Sequence, residues 1–462
     1  MIDTELKYLE NELADVVKLF FDVKQVNLLH RCKITEEKVV NTVTVNGNVF
    51  AYGNLIKFTG DEIEKKRLIK RYAKLSVYKA LSKYTGREMP WGALTGIRPT
   101  KLAYSELEKN GTFIDFFTNT MKVSEEKTKL ISSILQTQEG IYKKDNDNSD
   151  FFVFIPFCPS RCRYCSFITA DIKHNQQYVD AYVDALVREI NESKDYVKTL
   201  RSIYVGGGTP VSLDDRNLDK VLTAIDKVNS GVEYTVEAGR PDRITESNLK
   251  ILKDHGVTRI CINPQTFNEK TLATLGRNHT PNDIVEKYYL AKDKFVINMD
   301  LIAGLPGESF EDFKYSIDKT ILLSPDDITV HTLCLKRSSD LATSNSDIQN
   351  DEIEKMIDYS SKMLAKNLYL PYYLYRQKHM LGNLENVGYC KKGKACIYNV
   401  DTMEEISNTV ACGANAISKR IFLEENRMER FAPPKDVKTY LDNLDSYLIN
   451  KKKFFNDQWR KL

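Results

Sequence analysis

From about residue 151 onward, apolar positions alternate between two spacings: short β-rich runs, and longer segments with the repeat of an amphipathic helix. The β-rich runs fall at 151–155, 202–205, 233–237, 259–262, 295–301 and 328–333. Between the first two, Tyr178, Tyr182, Leu186 and Ile190 recur every four residues and so line one helical face. Six such units in series predict an α/β fold with parallel strands and right-handed crossovers. An open doubly wound sheet and a barrel satisfy this pattern equally. In both, functional groups gather at the carboxyl ends of the strands.

Residues 1–145 read as a separate α+β module. The stretch 40–50 alternates apolar and polar positions around Asn46-Gly47, a hairpin signal. Helical patterns follow at 61–85 and 102–110, with a glycine-punctuated loop at 91–101 that carries Trp91, Arg98 and Lys101. The polar run 143–150 predicts a linker into a core domain at 151–335. A third region, 336–462, opens on a polar loop at 338–351, continues with a helix at 353–368 and a strand-like Tyr372-Tyr-Leu-Tyr375, and ends in a helical tail.

Composition narrows the class. The 462 residues are 42% hydrophobic, enough for a large core, and Lys+Arg 67 nearly cancel Asp+Glu 64. The only dense basic run is Lys451-Lys-Lys453, so charge does not indicate nucleic acid. The acidic start lacks a signal peptide's features and no apolar stretch reaches about 18 residues. A cytoplasmic protein that makes no use of a membrane is expected. Nine cysteines, an odd and scattered set, do not form a secreted disulfide framework.

Three of them, Cys158, Cys162 and Cys165, sit in one loop directly after the first core strand. Structural zinc wants four closed ligands, whereas a [4Fe–4S] cluster held by three cysteines leaves one iron open to a small molecule. Further chemistry clusters at the later strand ends. The second ends in Gly206-Gly-Gly-Thr209, where missing side chains allow close backbone approach and free N–H and C=O groups could meet the polar end of an amino acid. The third ends in Glu237, the fourth in Asn263-Pro-Gln265 with Arg277 beyond, and the fifth reaches Asp300. A single strand-end carboxylate serves as readily as a helix cap. Polar groups at successive ends of one rim point to a binding site.

Together, the cysteine loop, Gly-Gly-Gly-Thr-Pro, the Gln265 motif, Gly-Arg-Asn-His-Thr-Pro and Asn-Met-Asp-Leu-Ile-Ala-Gly-Leu-Pro-Gly resemble the oxygen-independent coproporphyrinogen III oxidase family of radical S-adenosylmethionine (SAM) proteins. The loop at 91–101 and the segment 374–389 resemble its HemZ branch. The resemblance implies a partial (β/α)6 TIM-type barrel, with 336–462 covering the substrate. It further implies a [4Fe–4S] cluster on Cys158, Cys162 and Cys165, and SAM on Tyr164, Gly207, Gly208, Thr209, Glu237, Gln265, Arg277 and Asp300. The implied reaction abstracts hydrogen from a porphyrinogen propionate and releases carbon dioxide, with electrons from a reduced flavodoxin or ferredoxin-type donor. Two departures touch the surroundings in which substrate and a second SAM would sit. Phe152 and Phe154 stand where the best-characterised branch has Tyr and His, and Phe167 replaces a fourth cysteine.

A tetrapyrrole partner carries propionates, for which Arg98, Lys101, Arg376 and Lys378 are the candidate cations. His379 is a candidate haem ligand, and His331 another polar group on the rim. Cys390 and Cys396 lack the further ligands a second metal site needs. The leading function is oxidative decarboxylation of coproporphyrinogen III to protoporphyrinogen IX. Its rivals are a haem chaperone and a radical SAM methyltransferase that opens the haem ring.

Overall fold

The protein is described by a computed structural model covering residues 1–55, 62–95, 98–165, 167, 169–334, 350–377 and 380–456. It divides into two compact units, Met1–Ser132 with Arg376–Glu385, and Ser133–Tyr375 with Asn386–Leu462. Residues 133–145 and 386–462 fall in the unit that holds the core strands, and the short segment 376–385 in the unit of residues 1–132.

The N-terminal unit has a four-stranded sheet of β1 (Ile2–Thr4), β2 (Leu28–Ile34), β3 (Lys38–Val45) and β4 (Asn48–Leu55), ordered as in the chain. Asn46 and Gly47, at φ 47° and 89°, make the turn between β3 and β4, the mirror-image geometry whose twist suits a hairpin. Alternation along β3 buries Val39, Val43 and Val45. The helix expected from 102 begins at Pro99, whose fixed φ and missing N–H suit the first helical turn, and it stops at Gly111 in the left-handed region.

Arg376 corrects an expectation. Instead of offering its guanidinium to a propionate, it is buried, donates to the carbonyls of Leu94 (2.5 Å), Asn383 (2.8 Å) and Leu384 (3.5 Å), and lies 4.9 Å over the Trp91 ring. A planar fork with carbonyl acceptors and an indole face is a structural arrangement. Glu385 completes it, accepting from Trp91 Nε1 at 2.6 Å and Lys127 Nζ at 2.7 Å. Arg98 and Lys101 are half-buried at the start of the Pro99–Asn110 helix in this same unit, while Lys378 and His379 lie outside the described residues.

The second unit contains β5 (Asn148–Ile155), β6 (Phe157–Cys158), β7 (Ala170–Asp171), β8 (Thr199–Gly207), β9 (Glu233–Gly239), β10 (Arg259–Ile262), β11 (Val296–Ala303), β12 (Asp327–Thr332), β13 (Leu370–Tyr375), β14 (Asn386–Cys390), β15 (Asn408–Cys412), β16 (Ser418–Phe422) and β17 (Arg427–Phe431). Its large sheet runs β13-β14-β12-β11-β10-β9-β8-β5-β15-β16-β17. Within it, β5, β8, β9, β10, β11 and β12 are parallel neighbours in chain order. A doubly wound sheet would reverse that order at a switch point, so the winding is that of a partial (β/α)6 barrel. Helices alternate with the strands, and Thr245, Thr280 and Ser309 open theirs with capping boxes. β5 begins inside the expected linker, because Asn148, Ser149 and Asp150 already pair with Thr199, Leu200 and Ser202.

Residues after the barrel extend it at both edges. β14 pairs antiparallel with β12, and β15 parallel with β5. The terminal helix Leu444–Phe455 is anchored by buried Glu189, which accepts from Lys451 Nζ (2.7 Å), Tyr447 OH (2.9 Å), Tyr440 OH (2.5 Å) and the Gly413 N–H (2.8 Å). Lys451, first of the basic run, is therefore an interior residue. Among the described residues no helix is long and apolar enough to cross a membrane.

Replacing Glu385 by Ala takes from the buried Lys127 ammonium its carboxylate partner at 2.7 Å and leaves the Trp91 N–H without its acceptor. Loss of one partner of a buried pair costs about 3–5 kcal/mol. A matching drop in the denaturant midpoint of the N-terminal unit's transition is expected. Glu385→Gln, which keeps an acceptor for Trp91, should fall between; an unshifted midpoint for Glu385→Ala would refute the assignment.

Candidate active site

Strand alternation sorts the barrel residues by face. Phe151, Val153 and Ile155 of β5, with Ile203, Val205, Val236 and Ile260, join the helices in the main core. The intervening positions Phe152, Tyr204, Glu237, Asp300 and His331 fall on the opposite face. Polar and titratable groups thereby collect towards the strand carboxyl ends.

The cysteine loop leaves β5 at the same rim. It is stitched to the segment after the helix Glu269–Thr274, with Arg163 N–H donating to the Leu275 carbonyl (3.1 Å) and Ser160 Oγ to that of Gly276 (3.2 Å). Cys158, Cys162 and Cys165 are all free thiols. Among the described residues no three His, Cys, Asp or Glu converge as a single ion would require. Burial raises the Cys158 thiol and pushes Cys165 up to about 11, so both are neutral at pH 7 until something compensates their charge.

The compensation stands beside them. Arg240 and Arg277 each bring Nη1 towards Cys162 Sγ, at 3.5 Å and 3.8 Å, and the Thr209 hydroxyl lies 3.6 Å from Cys158 Sγ. Arg277 also donates to Tyr164 OH (2.9 Å) and the Asn263 carbonyl (2.5 Å). Buried donors gathered on thiol sulfurs suit an anionic metal–sulfur group.

The glycine turn departs from expectation in one respect. Gly208 N–H donates to the Ile155 carbonyl (2.7 Å) and Thr209 N–H to that of Phe157 (2.8 Å), while the Gly207 N–H serves Glu237. These donors are committed within the protein, which leaves carbonyl acceptors for a ligand. Space explains the glycines: a Cβ on Gly208 would stand 2.5 Å from the Phe157 oxygen, and one on Gly207, at φ 100°, 2.4 Å from the Phe154 ring. Phe154 thus supports the turn. Phe152 stacks on Tyr398 at 6.0 Å, and Tyr398 on Tyr204 at 4.3 Å.

Tyr204 in turn donates to Glu237 at 2.5 Å. Burial pushes the Glu237 carboxyl up to about 7, with Asp300 adding to the rise and the Tyr204 and Gly207 bonds opposing it. Asp300 behaves differently. Burial disfavours its charge as well, but His331, whose Nε2 is 3.7 Å away, together with Asn298 at 2.8 Å and Thr329, holds it below the usual range. Tyr375 OH extends the chain to His331 Nδ1 at 3.2 Å. Gln265 adopts φ 68° and is locked to β11, its N–H on the Asp300 carbonyl (2.9 Å) and its carbonyl receiving Ile302 N–H (3.0 Å). Its Oε1, Asn263 Oδ1 and Arg277 Nε are buried without a protein partner, which marks this corner for a polar ligand.

Cys162, Tyr164 and Arg277 are therefore gathered together, Glu237 and Asp300 occupy neighbouring strand ends, and Thr209 reaches the cysteine loop. Sequence reading missed Arg240, Asp242, Tyr204 and Tyr398. The signal for the first two, Arg240-Pro-Asp242 beginning three residues past Glu237, is too short to stand out. Cys396 donates to Glu233 at 3.2 Å and Cys390 is buried beside Tyr372 and Tyr373.

The radical SAM superfamily profile matches residues 152–320. The oxygen-independent coproporphyrinogen-III oxidase-like protein HemZ of Bacillus subtilis is 35% identical over 445 residues, covering 91% of this chain and 89% of its own. The heme chaperone HemW of Lactococcus lactis is also 35% identical, but over 240 residues, 49% of this chain and 60% of that protein. Among solved structures, coproporphyrinogen III oxidase HemN from Escherichia coli shares the fold at a TM-score of 0.51 and 19% identity, over 67% of this chain and 72% of its own. The chain belongs to the radical SAM superfamily, in the family of oxygen-independent coproporphyrinogen III oxidase-like proteins and its HemZ branch.

Proposed function

We propose that this protein carries out the oxidative decarboxylation of coproporphyrinogen III to protoporphyrinogen IX, with a reduced flavodoxin or ferredoxin-type electron donor. The observation that carries this reading is the extent of kinship with HemZ, over 91% of the chain and so across both units, where likenesses to HemW proteins cover 40% to 63% of it. Cluster and SAM together supply hydrogen-atom abstraction from an unactivated carbon.

The chain's own residues prepare for that chemistry. Cys158, Cys162 and Cys165 are the proposed cluster ligands. Glu237, oriented by Tyr204, would take the ammonium of SAM, with the carbonyls of Gly207 and Gly208 as further acceptors. Asp300, kept ionised by His331, suits ribose hydroxyls, and Gln265, Arg277 and Tyr164 form the remaining wall. Phe152 and Phe154, which stand where the best-characterised branch has a hydroxyl and an imidazole, weigh against this reading and are what the substrate assay must decide.

Cluster and SAM binding test the site. Alanine at all three cysteines should abolish iron uptake, whereas Cys390→Ala with Cys396→Ala should leave it unchanged. An ammonium needs the ionised carboxylate, and Glu237 sits at about 7, so SAM affinity should rise through pH 6–7 and level off above about 8. Glu237→Gln should flatten that profile and weaken binding by roughly tenfold to a hundredfold, the worth of a charge-assisted bond of about 1.5–3 kcal/mol. An unaltered profile removes Glu237 from the SAM site. The same titration counts bound SAM, and a stoichiometry above one would reveal the second molecule.

The substrate is tested by anaerobic incubation with SAM, reductant and either coproporphyrinogen III or haem, followed by mass spectrometry. Vinyl-bearing product and carbon dioxide are expected. Unchanged coproporphyrinogen with intact bound haem would replace this reading by a haem chaperone, and a linear tetrapyrrole by ring opening.

A further inference from the structure

The turn that ends β9 holds a guanidinium against the cysteine loop. Gly239 takes φ 63°, Arg240 N–H closes onto the Ala238 carbonyl at 2.6 Å, and Pro241 begins a short helical turn, so the backbone at Arg240 has little freedom. The side chain is equally constrained. Its Nε and Nη2 form a bidentate pair with Asp242 at 2.8 Å and 3.0 Å, and its Nη1 is shared between Ser160 Oγ (3.1 Å) and Cys162 Sγ (3.5 Å). Only 4% of the Arg240 side chain is exposed, and behind Asp242 stands buried His279, Nδ1 at 3.8 Å from Oδ1.

We propose that Arg240, clamped by Asp242, is a tuning residue for the iron–sulfur cluster: it donates to the Cys162 sulfur and raises the cluster's reduction potential. The physical reason is charge. One-electron reduction adds negative charge to the metal–sulfur core, and hydrogen bonds to its sulfurs are among the groups that set the potential. A buried donor aimed at a ligand sulfur stabilises the reduced form more than the oxidised one. The neighbouring carboxylate does not cancel this effect, because the pair presents its positive end to the sulfur. The clamp also needs arginine. A fork spans a carboxylate and a sulfur at once, whereas a lysine offers one point charge. Arg277 approaches the same sulfur, but its contacts with Tyr164 and Asn263 tie it to the proposed SAM wall, so Arg240 is the cation whose removal isolates the tuning effect.

The experiment reads the cluster, not turnover, and is therefore independent of which tetrapyrrole the protein acts on. Full-length wild type, Arg240→Gln and Arg240→Lys are reconstituted anaerobically, assayed for iron and sulfide, and titrated electrochemically with the reduced cluster followed by electron paramagnetic resonance, without SAM. Arg240→Gln should shift the reduction equilibrium about tenfold towards the oxidised form, about 59 mV more negative for a one-electron couple. Arg240→Lys should shift it in the same direction by less. Arg188→Gln, on an exposed helix face, should leave the potential where it is. A fully loaded Arg240→Gln with the wild-type potential overturns the proposal. If Arg240→Gln fails to load, Arg240→Lys decides on the same criterion, and failure of both to hold iron would make Arg240 a strut of the cysteine loop and overturn the tuning role.

Discussion

Parallel pairing from β5 to β12 in chain order makes all six strands end on one rim, and the placement of the site follows from that constraint. Alternation along each strand then divides the work. One set of side chains packs against the helices as the main core, and the set between them turns its polar groups to the other face. Because the strands are neighbours in sequence order, the end of β5 with its three thiols, the glycine turn after β8, Glu237 of β9, the Gln265 turn after β10 and Asp300 of β11 succeed one another around a short arc.

Burial sets the second condition. Thiols and carboxylates enclosed in this way lose water and resist ionisation unless partners make up the loss. Partners are present for each group in a different form: guanidiniums at Cys162, a hydroxyl at Cys158, a tyrosine and a backbone N–H at Glu237, an imidazole at Asp300. The result is two acidic groups held at different protonation points, Glu237 near neutrality and Asp300 firmly charged. Elsewhere the same rule produces rigid anchors. Glu189 with Lys451, and Glu385 with Lys127, are buried ion pairs with further bonds to tyrosines, a backbone N–H, a backbone carbonyl and an indole. Removing one member of such a pair takes the counter-charge from a buried group, which makes them registers of position more than sources of net stability.

The segment Arg376–Glu385 shows how far apart in sequence such a register can be assembled. It separates β13 from β14, two strands of the barrel sheet, yet its buried charged residues belong to the N-terminal unit through Trp91 and Lys127. The basic residue that looked suited to a propionate is used there to order backbone carbonyls. Apolar Phe152 and Phe154 have a similarly structural part, one stacking on Tyr398 and the other filling the space that the Gly207 turn leaves.

Much of this was legible in the chain. Period-two and near-four spacings located the six strands and their helices to within a few residues, and the clustering of three cysteines after the first strand pointed to the cluster, because both are local patterns in which neighbours in sequence act together. Asn46-Gly47 announced its hairpin for the same reason. Periodicity left barrel and open sheet equal, since both share one local pattern and differ only in strand order; the family resemblance implied the barrel, and the order of the strands in the sheet decided it. Tertiary structure alone decided which polar groups face which. Arg240 meets Cys162 across 78 residues, Lys451 reaches Glu189 across 262, and Trp91 finds Glu385 across 294. Partners so distant leave no periodic trace, because a buried charge is chosen by the space and the counter-charge that folding brings to it, not by its neighbours along the chain.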